Sequence, residues 1–131
     1  MKNEPYGIAV VGCGTVGGAT AQLLTEDGHY LKSRCGVDIP LKYIVDVDFS
    51  NAKSLGLSEK LFETELEKVL KDDEVKIVVE LVGGTTAARE ITQKALSSKK
   101  HVVTANKALL AHHGSELFAL ARTNGVSLAF E

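Results

Sequence analysis

Three glycines are spaced so that they could hold a phosphate group between a strand and a helix. In IAVVGCGTVGG, Gly12, Gly14 and Gly17 follow an apolar run and precede apolar residues at helical spacing. In such a turn the first glycine allows a tight bend, the second lets the backbone approach a pyrophosphate, and the third lets helix and strand pack closely. Unpaired N–H groups at the helix start then receive the phosphate charge. The pattern predicts a dinucleotide site; the alternative is a tight turn without a ligand.

Two acidic residues end the second predicted strand and are candidates for binding a ribose. They are Asp46 and Asp48 in IVDVD. A ribose-binding acid is expected about 20 residues after the glycines, and Asp46 lies further along because the irregular segment 28–40 intervenes. Since a carboxylate repels a 2′-phosphate, these acids favour NAD over NADP. The alternative for each is a solvated loop acid.

A third group of candidates follows a nearly continuous apolar run, in VVELVGGTT. Glu80 interrupts the run, and a buried carboxylate is costly unless it is paired. Gly83 and Gly84 permit a close backbone approach, and Thr85 or Thr86 can cap the next helix. Ligands of such sheets lie beyond the carboxyl ends of the strands. The alternatives are a hydrogen-bonded strand-end carboxylate and a plain turn.

The stretch HVVTANKALLA places a lysine at the start of a helix, after a short strand that ends in Thr104. Lys107 opposes the helix dipole there, which suggests a function other than helix stability. Its ammonium could hold an anionic or carbonyl oxygen next to a nicotinamide, and the alternative is a solvated surface lysine. Glu131, in the terminal LAFE, would face the same edge of the sheet if the chain continued.

Composition limits the function classes. The chain has 131 residues, of which 44% are hydrophobic, and a formal net charge of -2, which indicates one folded domain and no nucleic-acid surface. No apolar run approaches the roughly 18 residues of a membrane span, and no signal peptide is evident. Cys13 and Cys35 lack metal or redox spacing and are expected to be reduced thiols of a cytoplasmic protein. His112 and His113 have no third ligand at metal spacing, so no metal site is predicted.

Apolar stretches alternate with segments of helical periodicity, which predicts a doubly wound α/β fold with helices on both faces of a mostly parallel, six-stranded sheet. The pattern locates five strands, at residues 6–11, 41–47, 75–82, 101–104 and 126–130. It locates helices at residues 16–27, 64–71, 86–97 and 107–123, and a loop or short helix at 51–57. The apolar last strand suggests a domain cut from a longer chain, or a minimal one.

The combination of IAVVGCGTVGG, VVELVGG, HVVTANKALLAHHGSEL and LAFE closely resembles the nucleotide-binding domain of homoserine dehydrogenases, from about residue 8 to residue 131. The resemblance implies a Rossmann-type dinucleotide-binding domain over 1–131. It also implies that the dimerisation and substrate domains of the family lie outside this chain. The family interconverts L-homoserine and L-aspartate 4-semialdehyde with NAD(P), a step of threonine, methionine and isoleucine synthesis.

The resemblance also implies roles for individual residues. Lys107 would lie at the junction of cofactor and substrate, as the one residue of the catalytic zone, with an electrostatic or positioning role. Asn106 would lie beside it, and Gly83, Gly84 and Thr85 would approach the nicotinamide half. The residues expected around the pyrophosphate are Gly12, Cys13, Gly14, Thr15, Val16 and Gly17.

Two departures from the family pattern matter. Many members carry Arg-Asp near the end of the second strand, where the arginine can meet a 2′-phosphate, but this chain reads Val47-Asp48, which supports NAD. The second departure is length, because the family's substrate domain supplies the groups that grip homoserine and transfer its proton. We therefore expect the chain to bind cofactor without turnover. The whole enzyme is expected to be a homodimer, and the isolated chain can be a monomer.

Two other readings remain open from the sequence. One is another amino-acid dehydrogenase, such as an aspartate or aspartate-semialdehyde enzyme; the latter needs a nucleophilic cysteine, for which neither Cys13 nor Cys35 is suitably placed. The other is a non-catalytic NAD-binding module. A reading frame that continues into a substrate domain would favour the dehydrogenase.

Overall fold

The computed structural model describes residues 5–130, which form a six-stranded sheet in the order β3-β2-β1-β4-β5-β6. Every neighbouring pair of strands is parallel. The strands are β1 (Gly7–Val11), β2 (Leu41–Val45), β3 (Phe62–Glu63), β4 (Val75–Glu80), β5 (His101–Thr104) and β6 (Leu128–Phe130). The predicted doubly wound α/β fold is confirmed, with a sheet that is wholly parallel.

Helices cover both faces of this sheet. They are α1 (Thr15–Glu26), α2 (Gly28–Cys35), α3 (Ser50–Ser54), α4 (Leu66–Leu70), α5 (Thr86–Ser97) and α6 (Lys107–Thr123), with a 3-10 turn at Glu59–Leu61. Ile44 and Val45 are neighbours on β2 but belong to different hydrophobic clusters, because successive strand residues point to opposite faces. Ile44 packs with residues of α1 and α3, and Val45 with residues of α4, α5 and α6.

Segment 28–40 was predicted to be irregular, and this is wrong for its first part. Gly28–Cys35 forms α2, none of whose residues is buried. An exposed helix has no apolar stripe, so hydrophobic periodicity does not reveal it. The residue that could have indicated the end of a helix is Gly36. It ends α2 in the left-handed conformation with a φ of 79° and donates its N–H to the Lys32 carbonyl.

The sixth strand and several strand ends also differ from the prediction. The strand that the sequence pattern did not locate is β3, which has two residues and is too short to show an alternation. The strands β2 and β4 end two residues earlier than predicted, at Val45 and Glu80. Glu131 lies outside the described residues.

No helix within residues 5–130 is long and apolar enough to cross a bilayer. No group of three or more His, Cys, Asp or Glu side chains within the same residues is placed to hold a metal ion. His113, in α6, has its Nδ1 3.5 Å from a carboxylate oxygen of Glu116.

Candidate functional site

The turn between β1 and α1 needs glycine at two positions for reasons internal to the protein. Gly12 has a φ of 98°, and a Cβ there would lie 2.9 Å from the backbone carbonyl of Leu81. A Cβ on Gly17 would meet the carbonyl oxygen of Gly12, far inside the 3.0 Å that real Cβ atoms keep. Gly12 therefore makes the bend, and Gly17 lets α1 pack directly against it.

Gly14 differs from these two glycines, because no neighbouring protein atom would clash with a side chain at this position. Among the described residues, no heavy atom outside its chain neighbours would lie within 4 Å of a Cβ on Gly14. Gly14 occupies the N-cap position of α1, and no side chain caps that helix end. The first N–H groups of a helix lack partners within the helix, so the open space beside Gly14 is a candidate position for an anion.

The structure brings Asp46 to this turn. One oxygen of its carboxylate accepts the N–H of Cys13 at 2.7 Å, and the other accepts the N–H of Val47 at 2.7 Å. Asp48 is engaged locally instead, because it accepts both the N–H and the hydroxyl of Ser50, at 2.9 and 2.6 Å. These hydrogen bonds lower the pKa of Asp48. Of the two predicted ribose acids, Asp46 is the one that contacts the glycine turn.

The remaining predicted residues of the turn surround the same opening. Thr15 and Val16 lie in the first turn of α1 and are exposed. Cys13 is buried, and burial, reinforced by the charge of Asp46, raises the pKa of its thiol. A thiol with a raised pKa is a poor nucleophile at neutral pH.

One residue of the turn region was missed by the sequence analysis. The side-chain amide of Asn51, in α3, donates to the carbonyl of Gly14 at 2.8 Å. A Cβ on Gly18 would lie 2.6 Å from this amide nitrogen, so Gly18 makes room for it. The fourth glycine of the motif was therefore the available indication that another side chain packs there.

Beyond the carboxyl ends of β4 and β5 lies a cavity of about 400 Å³. It collects the predicted residues Gly83, Gly84, Asn106 and Lys107, and Val16 from the glycine turn. The other lining residues are Glu80, Leu81, Val82 and Ala105. A site that begins at the glycine turn therefore continues into this cavity.

Lys107 and Thr85 are placed differently from one another. Lys107 is exposed in the first turn of α6 at the cavity wall, and it forms no ion pair within residues 5–130. Thr85 does not line this cavity but a neighbouring one with Arg89 and His113. It occupies the N-cap position of α5, yet its side chain makes no capping hydrogen bond, and Thr86 is already the first residue of that helix, so the predicted cap by Thr85 or Thr86 is wrong.

Glu80 is fully buried and hydrogen-bonded at both oxygens. It accepts the Thr104 hydroxyl at 2.6 Å and the Val82 N–H at 2.7 Å. Burial raises the pKa of the Glu80 carboxyl, and the two hydrogen bonds oppose that shift. The paired carboxylate is the structural alternative that the sequence left open.

Comparison with known proteins decides the family. The model of the domain described as "Homoserine dehydrogenase, NAD binding domain" matches residues 12–131. The chain belongs to this family. Membership confirms the predicted dehydrogenase family and its NAD or NADP cofactor, and does not favour the rival readings. Which of the two cofactors the chain prefers stays a prediction, as do the roles of the individual site residues.

Similar proteins cover nearly all of the chain. The homoserine dehydrogenases of Neisseria gonorrhoeae and Pseudomonas aeruginosa are 38% and 39% identical to it over 128 residues, 98% of this chain. The chain spans only 29% of the length of each. The family's domain is therefore present here, while most of the length of these relatives has no counterpart in the chain.

Solved structures give the same result. Homoserine dehydrogenase from S. aureus superposes with a TM-score of 0.87 at 36% identity, covering 99% of this chain and 33% of that one. The enzyme from Thiobacillus denitrificans gives 0.88 at 38% identity, with 98% and 30% covered. GenD2 from gentamicin A biosynthesis, in complex with NAD, gives 0.76 at 29% identity, with 97% and 34% covered.

Glu80 makes the stability of this family domain depend on pH in a defined direction. Its folded-state pKa is raised, so the stabilisation is complete below the unfolded-state pKa and is lost as pH rises through the folded-state value. Glu80→Gln lacks this titration. We expect the unfolding free energy of the wild type minus that of Glu80→Gln to fall as pH rises from about 4 towards 8.

Urea denaturation of both proteins across that pH range measures this difference. The subtraction cancels the pH-dependent contributions of the carboxyls with lowered pKa values, such as Asp72, because both proteins contain them. A difference that stays constant or grows with pH would show that burial does not control the titration of Glu80.

Proposed function

We propose that this chain is the cofactor-binding part of an NAD-dependent homoserine dehydrogenase. The observation that carries the proposal is Gly14, a glycine that no protein neighbour demands, at the uncapped start of α1. A pyrophosphate above this position explains why a side chain is absent there. The family membership of the chain supports the same ligand.

In this proposal NAD lies along the carboxyl edge of the sheet. The N–H groups at the start of α1 bind the pyrophosphate, and Gly12, Cys13, Thr15, Val16 and Gly17 surround it. Asp46 accepts hydrogen bonds from the adenosine ribose with the lone pairs that Cys13 and Val47 leave free. The Gly83–Gly84 turn and Lys107, which line the cavity, would hold the nicotinamide half.

The reaction is the interconversion of L-homoserine and L-aspartate 4-semialdehyde. Bound NAD supplies the hydride acceptor for the hydroxyl carbon of homoserine. Lys107 contributes positive charge at the cavity wall and holds the substrate oxygen near the nicotinamide by electrostatic attraction. The proton of the hydroxyl goes to a base outside this chain. We therefore expect the isolated chain to bind cofactor and to show no turnover.

We also propose an assembly and a location for the whole enzyme. We infer a cytoplasmic homodimer that dimerises through parts outside this chain, with no nucleic-acid or membrane partner. Its small-molecule substrate is held mainly by the family's second domain. The two free cysteines, Cys13 and Cys35, fit a reducing compartment.

The end of β2 is expected to select NAD over NADP. Asp46 and Asp48 repel a 2′-phosphate, and Val47, which is 90% exposed between them, offers no positive charge. We expect NAD to bind at least about tenfold more tightly than NADP, because unpaired like charges disfavour the phosphate. Val47→Arg should raise NADP affinity and leave NAD affinity within about threefold. Calorimetric titration with both cofactors measures the preference.

Val47→Gln is the matched control, because it lengthens the side chain without adding a charge. It should leave the preference unchanged. Tighter binding of NADP than of NAD by the wild type would overturn the assignment of Asp46 to the ribose. Absence of binding of either cofactor would overturn the proposed function of the isolated chain.

A further inference from the structure

A closed set of hydrogen bonds joins the two walls of the cavity at the ends of β4 and β5. Glu80 accepts from the N–H of Val82 and from the hydroxyl of Thr104. The Thr104 hydroxyl oxygen accepts the backbone N–H of Asn106 at 3.1 Å. The side-chain amide of Asn106 donates to the carbonyl of Gly84. The chain of contacts thus starts in the segment after β4, crosses to β5 and returns to the same segment.

Sheet stability alone does not explain these polar groups. Glu80 and Thr104 have no exposed surface, and the rest of β4 reads VKIVV, which is mostly apolar. Replacing a buried polar pair with apolar side chains of similar shape is commonly neutral or stabilising. A buried carboxylate with both oxygens paired specifies a geometry instead, and the geometry fixed here is that of the cavity walls.

We propose that Glu80 and Thr104 are positioning residues, whose hydrogen bonds hold the Gly83–Gly84 turn and the start of α6 at the separation that the nicotinamide half of the cofactor requires. The inference rests on the proposed function, because it assumes that this half enters the cavity. Neither side chain is required to touch the cofactor.

Each wall of the cavity contains a segment that other contacts must hold in place. Gly84 has a φ of 81° and is exposed, so its turn has many conformations open to it unless it is tied down. Asn106 caps α6 by accepting the N–H of Leu109 at 2.9 Å, and Lys107 follows directly. A shift of Asn106 therefore moves both the lysine and the contact to Gly84.

Removing the Thr104 hydroxyl tests whether this residue positions the cavity walls or only stabilises the fold. Thr104→Val keeps the shape but leaves the Asn106 N–H and one oxygen of Glu80 without this partner. The nicotinamide half would then have to order the two walls on binding, at an entropic cost. We expect NADH affinity to fall about three- to tenfold. ADP, which lacks the nicotinamide half, should bind as tightly as it does to the wild type.

The experiment is calorimetric titration of the 131-residue chain with NADH and with ADP. The proteins are the wild type, Thr104→Val and Thr104→Ser. Thr104→Ser keeps the hydroxyl and should restore wild-type NADH affinity.

The outcomes distinguish this inference from the proposed function. A selective loss of NADH affinity in Thr104→Val, rescued in Thr104→Ser, supports positioning. Equal losses for NADH and ADP, or no loss for either, overturn it, as does a wild type that binds NADH no more tightly than ADP. A wild type that binds neither ligand overturns the proposed function itself.

A second measurement needs no variant. The backbone N–H of Asn106 should be protected from hydrogen exchange in the ligand-free wild type, because the contacts are already formed. Rapid exchange at Asn106, with slow exchange in the neighbouring β5, would show that the walls are not held together before binding and would overturn the proposal.

Discussion

Replacing Gly17 with alanine is expected to destabilise the domain by about 3 kcal/mol or more. The added Cβ would meet the carbonyl oxygen of Gly12, a backbone atom. The backbone of Gly12 is held in place, because its own N–H is bonded to the Val45 carbonyl at 2.8 Å. Urea denaturation, monitored by circular dichroism, measures the loss of unfolding free energy.

Gly18→Ala is the matched control in the same helix. Its Cβ would contact the Asn51 amide nitrogen at 2.6 Å and a methyl carbon of Leu55 at 2.8 Å, and both are ends of flexible side chains. Alanine also favours a helix by roughly 1 kcal/mol over glycine, so the net change should be within about 1 kcal/mol. If Gly17→Ala is no more destabilising than Gly18→Ala, α1 does not pack on the turn as described.

Much of the fold was predictable because its strongest determinants are local. The apolar run that became β4 and the helical spacing of α5 and α6 are properties of contiguous residues, and the structure places these elements close to the predicted limits. The glycine turn was also predictable, since the bend at Gly12 and the close contact at Gly17 arise within six residues of chain.

What the sequence did not reveal depends on tertiary contacts or leaves no periodic pattern. The helix α2 has no buried face, and β3 has only two residues. Asn51 contacts Gly14 across 37 positions of sequence, and Thr104 meets Glu80 across 24. Glu80 stands out in the sequence as a charged residue in an apolar strand, but its partner Thr104 is set by the pairing of β4 with β5.

Gly14→Ala is expected to weaken cofactor binding without destabilising the domain, although it adds the same methyl group as Gly17→Ala only three residues away. The new Cβ would meet no atom of the described residues within 4 Å, so the unfolding free energy should change by less than about 1 kcal/mol. The methyl group would, however, occupy the space assigned to the pyrophosphate. We expect the affinity for NAD to fall at least about tenfold, and further if the N–H groups of α1 can no longer reach the phosphate.

Calorimetric titration of NAD into the wild-type chain and into Gly14→Ala, with the stability of both proteins determined by urea denaturation, tests whether the pyrophosphate lies against Gly14. We expect NAD to bind the wild type, its affinity to fall at least about tenfold in the variant, and the two proteins to be equally stable. Equal NAD affinity in two equally stable proteins would contradict this expectation, because the pyrophosphate could not then lie against Gly14. In that case the glycines would form only a tight turn.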